Sequence, residues 1–342
     1  MTSLTSGRGA PALKRQTDTK PMLNLSGDDY FKVAAGVVVF GLFACIPLFV
    51  TEDYILYILS LSAVMAIIAT GLNITNGYVG LLNLAVGGLV ATGSYITAIM
   101  LLRGMPMPLA VLGAVVGGGV VAAIIFLIFA RLRGFFFGLA TIAAAEVIRL
   151  LIRNMDELTN GVRGLKGYSR LTESPATTYW VLLVILAIVL VVVGIMVRST
   201  LGLRWRAIRE NRDKALSMGI PVLRLQFLGY VISGMIMAFG GGLYGVLLQY
   251  IEPNIAGLGT LVQTILMVAL GGAGTILGPV IGATAITLIP EVLRMANDLR
   301  LVIYGLTLIV VVLTLPGGIM GTILRYLRTR RRSAAIAKKV PH

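Results

Sequence analysis

Cysteine and histidine are almost absent from this chain of 342 residues. Cys45 lies alone in an apolar stretch, and the one histidine is the terminal residue His342. These two counts exclude a disulfide within the chain, a Cys/His metal cluster and a histidine-based catalytic triad. We therefore expect neither enzyme activity nor a metal site.

Charged residues and nucleotide-binding patterns are scarce as well. Only 13% of the residues are charged, whereas 57% are hydrophobic and 41 are glycine. Such a composition cannot cover a water-soluble surface with polar groups, so we predict an integral membrane protein. The phosphate-binding pattern G-x-x-x-x-G-K-[ST] is missing, and any ATP used for active transport must be bound elsewhere. We expect no cofactor in this chain.

Long apolar runs recur from residue 30 to about residue 315. A helix needs about 20 apolar residues to cross the hydrocarbon core of a bilayer. We predict an all-α, polytopic membrane protein with about ten transmembrane helices, some of them broken by glycine. The predicted spans are 30–50, 54–75, 80–102, 107–130, 135–152, 179–197, 225–248, 257–271, 276–290 and 301–315.

Basic residues predict how these spans are oriented. Placing both termini in the cytoplasm puts most Lys and Arg residues in cytoplasmic tails and loops, as the positive-inside rule requires. This predicts a basic tail over 1–29, a membrane domain over 30–315 with a cytoplasmic loop over 198–224, and a basic tail over 316–342. Residues 1–29 lack the apolar core of a cleaved signal peptide. The net charge of +15 indicates contact with anionic lipid rather than nucleic acid.

Glycine is abundant in the spans. Small residues four apart, such as Gly241 and Gly245, predict close helix packing. The stretches 70–88 and 270–282 combine several glycines with Asn or Pro, and irregular backbone at membrane depth occurs only where it is buried in protein or faces a watery cavity. Broken helices often mark a transport route. Polar packing between helices is the alternative for the candidate route residues, which are Asn73, Asn83, Ser94 and Gln263.

Glu146 and Arg149 are ionisable residues inside a predicted span. Three positions apart, they share one helix face and can pair, which lowers the cost of placing a charge in the membrane. We interpret them as a structural ion pair near the external end of the span. A substrate or proton site is the alternative.

Residues 204–220, RWRAIRENRDKALSMGI, form a highly charged segment that we call the basic segment. Its apolar side chains could form a narrow stripe on one short helix that Gly219 and Pro221 end. Yet Arg204, Arg206 and Arg209 crowd the expected helix start, where the macrodipole disfavours cations. From the residues alone, a solvated basic loop and a docking helix for a partner protein both remain open.

Four ordered motifs resemble one family over most of residues 50–325: the LivM-type permeases of branched-chain amino-acid ABC importers. GLRWRAIRENRDKALSMGI at 202–220 resembles their cytoplasmic coupling segment, and AEVIRLLIRNMDELTNGVRGLKG at 145–167 their Glu-Ile-Ile-Arg-Leu stretch and external loop. LMVALGGAGTILGPVIGA and LTLPGGIMG resemble their late glycine segment and last span. The stretch at 83–86 departs from LivM-type sequences and is closer to the sister LivH type.

The resemblance implies a permease in the bacterial inner membrane that works with several partners. These are a homologous LivH-like permease, two ATP-binding subunits (LivG- and LivF-like) that hold ATP and Mg²⁺, and an external substrate-binding protein. It also implies that the basic segment docks on an ATP-binding subunit. The residues assigned to this coupling are Trp205, Ile208, Arg209, Glu210, Asn211, Asp213, Ala215 and Gly219.

The substrate stays open at this point. Branched-chain amino acids are the expectation from the resemblance, with urea, short amides and other small organic molecules as alternatives. A self-contained secondary transporter or channel is the rival function. It would be expected to bury a carboxylate or histidine relay near the bilayer midplane, and Glu146 is the one candidate for that role.

Overall fold

A computed structural model describes residues 52–292, 318–320 and 322. Eight of the ten predicted spans fall in this part of the chain, and each coincides with a helix. The first and tenth predicted spans and both basic tails lie outside the described residues, apart from 318–320 and 322 in the second tail. The eight helices are α1 (Asp53–Asn73), α2 (Val86–Leu102), α3 (Met107–Phe129), α4 (Phe135–Asn154), α6 (Pro175–Arg198), α9 (Val222–Leu248), α10 (Leu258–Gly271) and α11 (Gly278–Val292).

Five of these helices are long and apolar enough to cross a membrane: α1 with its π-helical extension Ile74–Val79, α3, α4, α6 and α9. The helices α2 and α10, with 17 and 14 residues, are apolar but shorter. The predicted span 80–102 begins too early, since residues 80–85 are not helical and α2 starts at Val86. This irregular stretch lies within the glycine-rich region 70–88.

Short elements close the two ends of the bundle. One end, which we call the basic end, carries α7 (Thr200–Glu210) and α8 (Arg212–Ser217). The other end carries α5 (Asp156–Thr159), the 3₁₀ turns Gly161–Arg163 and Pro253–Ala256, and strands β1 (Leu165–Lys166) and β2 (Tyr250–Ile251). The strands pair antiparallel, with Leu165 opposite Ile251. The fold is therefore not purely α-helical, because these loops hydrogen-bond to each other as a two-stranded ladder.

Helix α9 packs against α1, α2 and α3. Its close contact with α2 depends on glycine: a Cβ atom at Gly241 would lie 2.1 Å from the Val90 carbonyl oxygen, and one at Gly93 would lie 1.9 Å from that of Ala238. Small residues let helix backbones approach this closely without a side chain between them. The predicted tight packing at Gly241 is confirmed.

An aromatic cluster packs beneath the basic end. Phe126, Phe137, Phe227 and Tyr230 pack around one another with ring centroids 5.7–6.0 Å apart, mostly edge to face. Edge-to-face contacts are a favourable arrangement for aromatic rings. The cluster joins the end of α3 and the start of α4 to the first three turns of α9.

Candidate functional site at the basic end

The basic segment folds as two helices rather than one. Asn211 adopts an extended conformation (φ −159°) between α7 and α8, and its side-chain oxygen accepts a hydrogen bond from the Lys214 amide at 2.9 Å. Asn is a favoured N-cap residue because it satisfies a free amide of the next helix. The expectation of one short helix is wrong for this reason. Gly219, with φ +75°, follows α8 as predicted.

Three apolar residues of the basic segment are buried against the chain's own helices, whereas Leu216 and Met218 are 47% and 69% exposed. Trp205 is 0% exposed and donates a hydrogen bond from Nε1 to the Leu225 carbonyl at 2.8 Å. Ile208 and Ala215 are buried in the same cluster, together with Val79. In this structure the three side chains contact the chain's own helices, and the docking role that the resemblance implies for them stays a prediction. They fix α7 and α8 to α1, α6 and α9.

Most charged residues of the basic segment lie on the exposed side of α7 and α8, away from the membrane helices. Helix α7 begins at Thr200, four residues before the expected start, so Arg209 lies in its last turn. Cations are favoured there by the helix macrodipole, which corrects the expectation of crowding at the helix start. Side chains of Arg204, Arg206, Glu210 and Asp213 are exposed. We call these four residues the outer charged face.

Arg209 connects α7 to the broken part of α1. Its Nη1 donates a hydrogen bond to the carbonyl of Gly77, in the π-helical extension. The side chain also passes close to two glycines: a Cβ atom at Gly80 would lie 2.9 Å from Arg209 Cγ, and one at Gly274 would lie 2.6 Å from Nη1. Both glycines have φ above +70°, so glycine suits both the backbone and the arginine.

Asn73 ties together the two glycine-rich stretches that interrupt the helices. Its Nδ2 donates to the Thr275 carbonyl at 2.8 Å, and its Oδ1 accepts from the Gly274 amide at 2.8 Å. The side chain thus satisfies backbone groups left free where α10 ends and α11 has not begun. We call Asn73, Gly77, Arg209, Gly274 and Thr275 the arginine junction.

Two other candidate route residues are also buried between helices. Ser94 is 0% exposed and donates to the Gly241 carbonyl at 2.6 Å. Asn83 is 0% exposed, and its Oδ1 accepts from the Ala85 amide at 3.0 Å and the Tyr230 hydroxyl at 3.2 Å. In this conformation Asn73, Asn83 and Ser94 serve polar packing. Gln263, on α10, differs because it is only half-buried.

Glu146 and Arg149 form a two-contact ion pair on α4. The Arg149 Nε–Glu146 Oε2 distance is 2.9 Å, and Nη2–Oε1 is 2.5 Å. Helix α4 continues to Asn154, so at a rise of 1.5 Å per residue Glu146 and Arg149 lie about 12 and about 8 Å inside its end, respectively. Their side chains are 45% and 23% exposed, respectively. The pair is therefore well inside the helix, yet open on its outer side.

Sequence reasoning missed the partners of the arginine junction. Apart from the glycine-rich composition around them, no sequence pattern marks Gly77 and Thr275 as contacts of Arg209 or Asn73. A pairing between residues 202 positions apart, such as Asn73 and Thr275, has no local signature. The observation that both stretches combine glycine with interrupted helices was the nearest available clue.

The model of the branched-chain amino-acid transport system permease component family matches residues 54–312. The LivM permeases of Salmonella typhimurium and Escherichia coli are 24% and 25% identical to this chain over 297 residues, covering 77% of it and 69% of each relative. The LivH permease of Escherichia coli is 27% identical over 288 residues, covering 77% of this chain and 92% of the relative. No solved structure gives a significant match.

Proposed function

Because the chain belongs to the family of branched-chain amino-acid transport system permease components, we propose that it is the membrane-spanning subunit of an ATP-driven importer. A branched-chain amino acid, or a similar small polar solute, is the transported molecule. ATP is hydrolysed by separate subunits that dock on the basic segment. The observation that carries this proposal is that Trp205, Ile208 and Ala215 fix the segment to the permease while its outer charged face is exposed.

The basic end faces the cytoplasm in this proposal, and both termini lie on the same side. Arginine and lysine residues are more frequent at this end than at the other end of the described helices. The positive-inside rule supports this orientation. The basic residues at this end are Arg131, Arg133, Arg198, Arg204, Arg206, Arg209, Arg212, Lys214 and Arg224.

The outer charged face is the docking surface for an ATP-binding subunit. Charges at the rim of an interface set its register and exclude wrong partners. The buried residues Trp205, Ile208 and Ala215 attach α7 and α8 to the membrane helices. Their burial makes α7 and α8 a rigid part of the permease. A displacement of the docked subunit therefore moves the helices to which these residues are packed.

The arginine junction passes this displacement to the membrane. Arg209 leaves the docking helix and bonds to the π-helical extension of α1, and the same junction holds the turn between α10 and α11. Glycine-rich backbone of this kind has few side-chain constraints and can change conformation at low cost. Movement of α7 thus reaches two broken helices at once.

The transport route runs along the outer face of α4 and α10. Glu146 and Arg149 are partly exposed inside α4, and a charge facing lipid at that depth is costly. Water or a second permease subunit must therefore cover them. Glu146 shares a small cleft with Leu258 and Leu261 at the start of α10, and half-buried Gln263 follows on that helix. The homologous LivH-like permease faces this surface, with an external binding protein delivering the solute.

The rival function, an ion-driven secondary transporter, is not supported by this geometry. Glu146 was the one candidate for a proton relay, and its two carboxylate oxygens are both paired with Arg149. Both oxygens are thus held by a charged donor on the same helix, which suits a structural ion pair. The chain therefore depends on an external energy source.

Reconstitution tests the proposal. Purified alone, the chain should bind no ATP, and proteoliposomes containing it should show no uptake of radiolabelled leucine. Adding the LivH-like permease, both ATP-binding subunits and the binding protein should produce uptake that needs ATP and Mg²⁺. Leucine uptake by the isolated chain along an ion gradient would contradict the proposal.

A further inference from the structure

A cavity of about 310 Å³ lies at the basic end, between the α3–α4 loop, the α7–α8 break and the start of α9. Phe126 and Phe137 line its apolar wall, and Arg133, Arg209 and Arg212 line its polar side. Of these arginines, Arg209 is engaged with Gly77 in the arginine junction. Arg133 and Arg212 form no ion pair with a carboxylate among the described residues.

One buried polar group at this cavity lacks a partner in the described part of the chain. The Nε atom of Arg212 is buried and has no acceptor there. Buried polar groups are nearly always hydrogen-bonded, so this atom indicates a missing acceptor. Gln226, which is 5% exposed, lines the same cavity with its amide group. Burial, and to a smaller extent the nearby Arg133, lower the pKa of Arg212, while Asp213 acts in the opposite direction.

The first turn of α4 adds to the anion preference of the cavity. This helix of 20 residues begins at Phe135, and its N-cap residue, Gly134, has no side chain to satisfy the free amides. Gly134 lines the cavity. Free amides and the positive end of the macrodipole both favour a negatively charged group.

Exposed apolar side chains surround the same loop. Ile128, Phe135 and Phe136 are 64–69% exposed, and Leu132 is 40% exposed. These residues lie at the end of α3, in the loop and at the start of α4, the level where a membrane helix leaves the hydrocarbon core. A ligand that combines an anionic group with hydrocarbon chains would cover both surfaces.

We propose that this cavity binds the phosphate diester of a membrane phospholipid. Arg133, Arg212 and Gln226 hold the phosphate oxygens, because guanidinium groups donate paired hydrogen bonds to phosphate. The acyl chains lie along the exposed apolar residues of α3 and α4. Glu210 and Asp213 also line the cavity, and both are exposed. These carboxylates favour a headgroup with one negative charge over one with several.

Native mass spectrometry of the full chain in mild detergent tests this site. The probes are dioleoyl phosphatidylglycerol, dioleoylglycerol, which has the same chains without phosphate, and inorganic phosphate. We expect the phospholipid to stay bound about ten-fold more than dioleoylglycerol, since the charged hydrogen bonds are absent from the latter. R133Q/R212Q and Gln226→Leu should lose this preference, R133K/R212K should keep part of it, and R163Q/R170Q at the opposite end should not change it.

Several outcomes would overturn the proposal. Equal retention of the two lipids, or full retention by R133Q/R212Q, would show that the cavity does not recognise phosphate. Displacement of the phospholipid by millimolar inorganic phosphate would make it a free-phosphate site. Loss of ATP-binding subunits from R133Q/R212Q with lipid retention unchanged would assign the cavity to protein docking. The thermal unfolding temperature of each variant should equal that of the wild type, which shows that a change in lipid retention is not caused by misfolding.

Discussion

Arg209 donates a hydrogen bond to the backbone carbonyl of Gly77, 132 residues earlier in the chain. The donor belongs to a helix at the basic end, and the acceptor belongs to the π-helical extension of a membrane helix. Because the acceptor is a main-chain atom, a shift of Arg209 acts on the backbone of α1 directly. In the proposed function, the contact is a mechanical link between the docking surface and the membrane.

Arg209→Gln should reduce transport without releasing the ATP-binding subunits. Glutamine is shorter and uncharged and cannot span to Gly77, whereas the outer charged face stays intact. We expect uptake to fall roughly 5- to 100-fold, the usual range for a coupling of about 1–3 kcal/mol between two sites. The measurement is uptake per copy of assembled complex. Arg224→Gln, an exposed residue at the same end, is the control, and an equal effect of both changes would refute the link.

Gly274→Ala should be more harmful than Gly104→Ala. Both glycines have nearly the same conformation, with φ +79° and +77°, so the backbone strain of about 1–2 kcal/mol is shared. The new Cβ atom at Gly274 would lie 2.6 Å from Arg209 Nη1, whereas nothing lies within 4 Å at Gly104. We expect a lower unfolding temperature and weaker uptake for the first variant. Identical behaviour of the two would mean that the arginine junction tolerates the extra atom.

Trp205→Ala should destabilise the permease itself. The indole is fully buried and hydrogen-bonded to Leu225, and removing a buried aromatic side chain typically costs about 3–5 kcal/mol. Leu203→Ala, with a side chain 59% exposed on the same helix, should change stability by less than about 0.5 kcal/mol. Thermal unfolding in detergent measures both. A stable Trp205→Ala protein that merely loses its ATP-binding subunits would support the partner-anchor interpretation.

Thiol labelling separates the transport route from polar packing. Cysteine at Gln263 should react with a water-soluble maleimide, and the rate should change when substrate or ATP is added. Cysteines at Asn83 and Ser94 should stay unreactive, because both side chains are buried between helices. The parent for these variants is Cys45→Ser. Rapid labelling at Asn83 with no reaction at Gln263 would place the route elsewhere.

The positions of the membrane helices could be predicted from the sequence because apolar length is a local property. The predicted helix ends were less accurate where a glycine-rich stretch is not helical, as in residues 80–85. Helix α7 was predicted to start too late, because the expected helix was placed on the charged residues rather than at Ser199. The break at Asn211 was missed, although Asn is a common N-cap and the signal was present.

The burial of the basic segment could not be predicted from local patterns. Its apolar stripe suits a partner protein and the chain's own core equally well, and only the tertiary structure shows that Trp205 is bonded to Leu225 of the same chain. The polar residues Asn73, Asn83 and Ser94 were similarly ambiguous. Their partners lie on other helices, so only the tertiary packing reveals that they connect helices.

Charge reversal at Glu210 and Asp213 tests the central claim, that the outer charged face couples this permease to ATP hydrolysis. Both side chains are exposed, so E210K/D213K should be produced and inserted like the wild type. Repulsion between like charges at the docking surface should weaken the fit of the ATP-binding subunits. The matched control is E157K/E173K, which reverses two exposed carboxylates at the opposite end.

The deciding measurement is ATP-dependent uptake together with retention of the ATP-binding subunits on the purified complex. The proposed coupling predicts that E210K/D213K loses most of both, whereas E157K/E173K keeps its ATP-binding subunits. Wild-type uptake and retention in E210K/D213K, at normal levels of inserted protein, would contradict it and reduce the basic segment to a loop that sets membrane orientation.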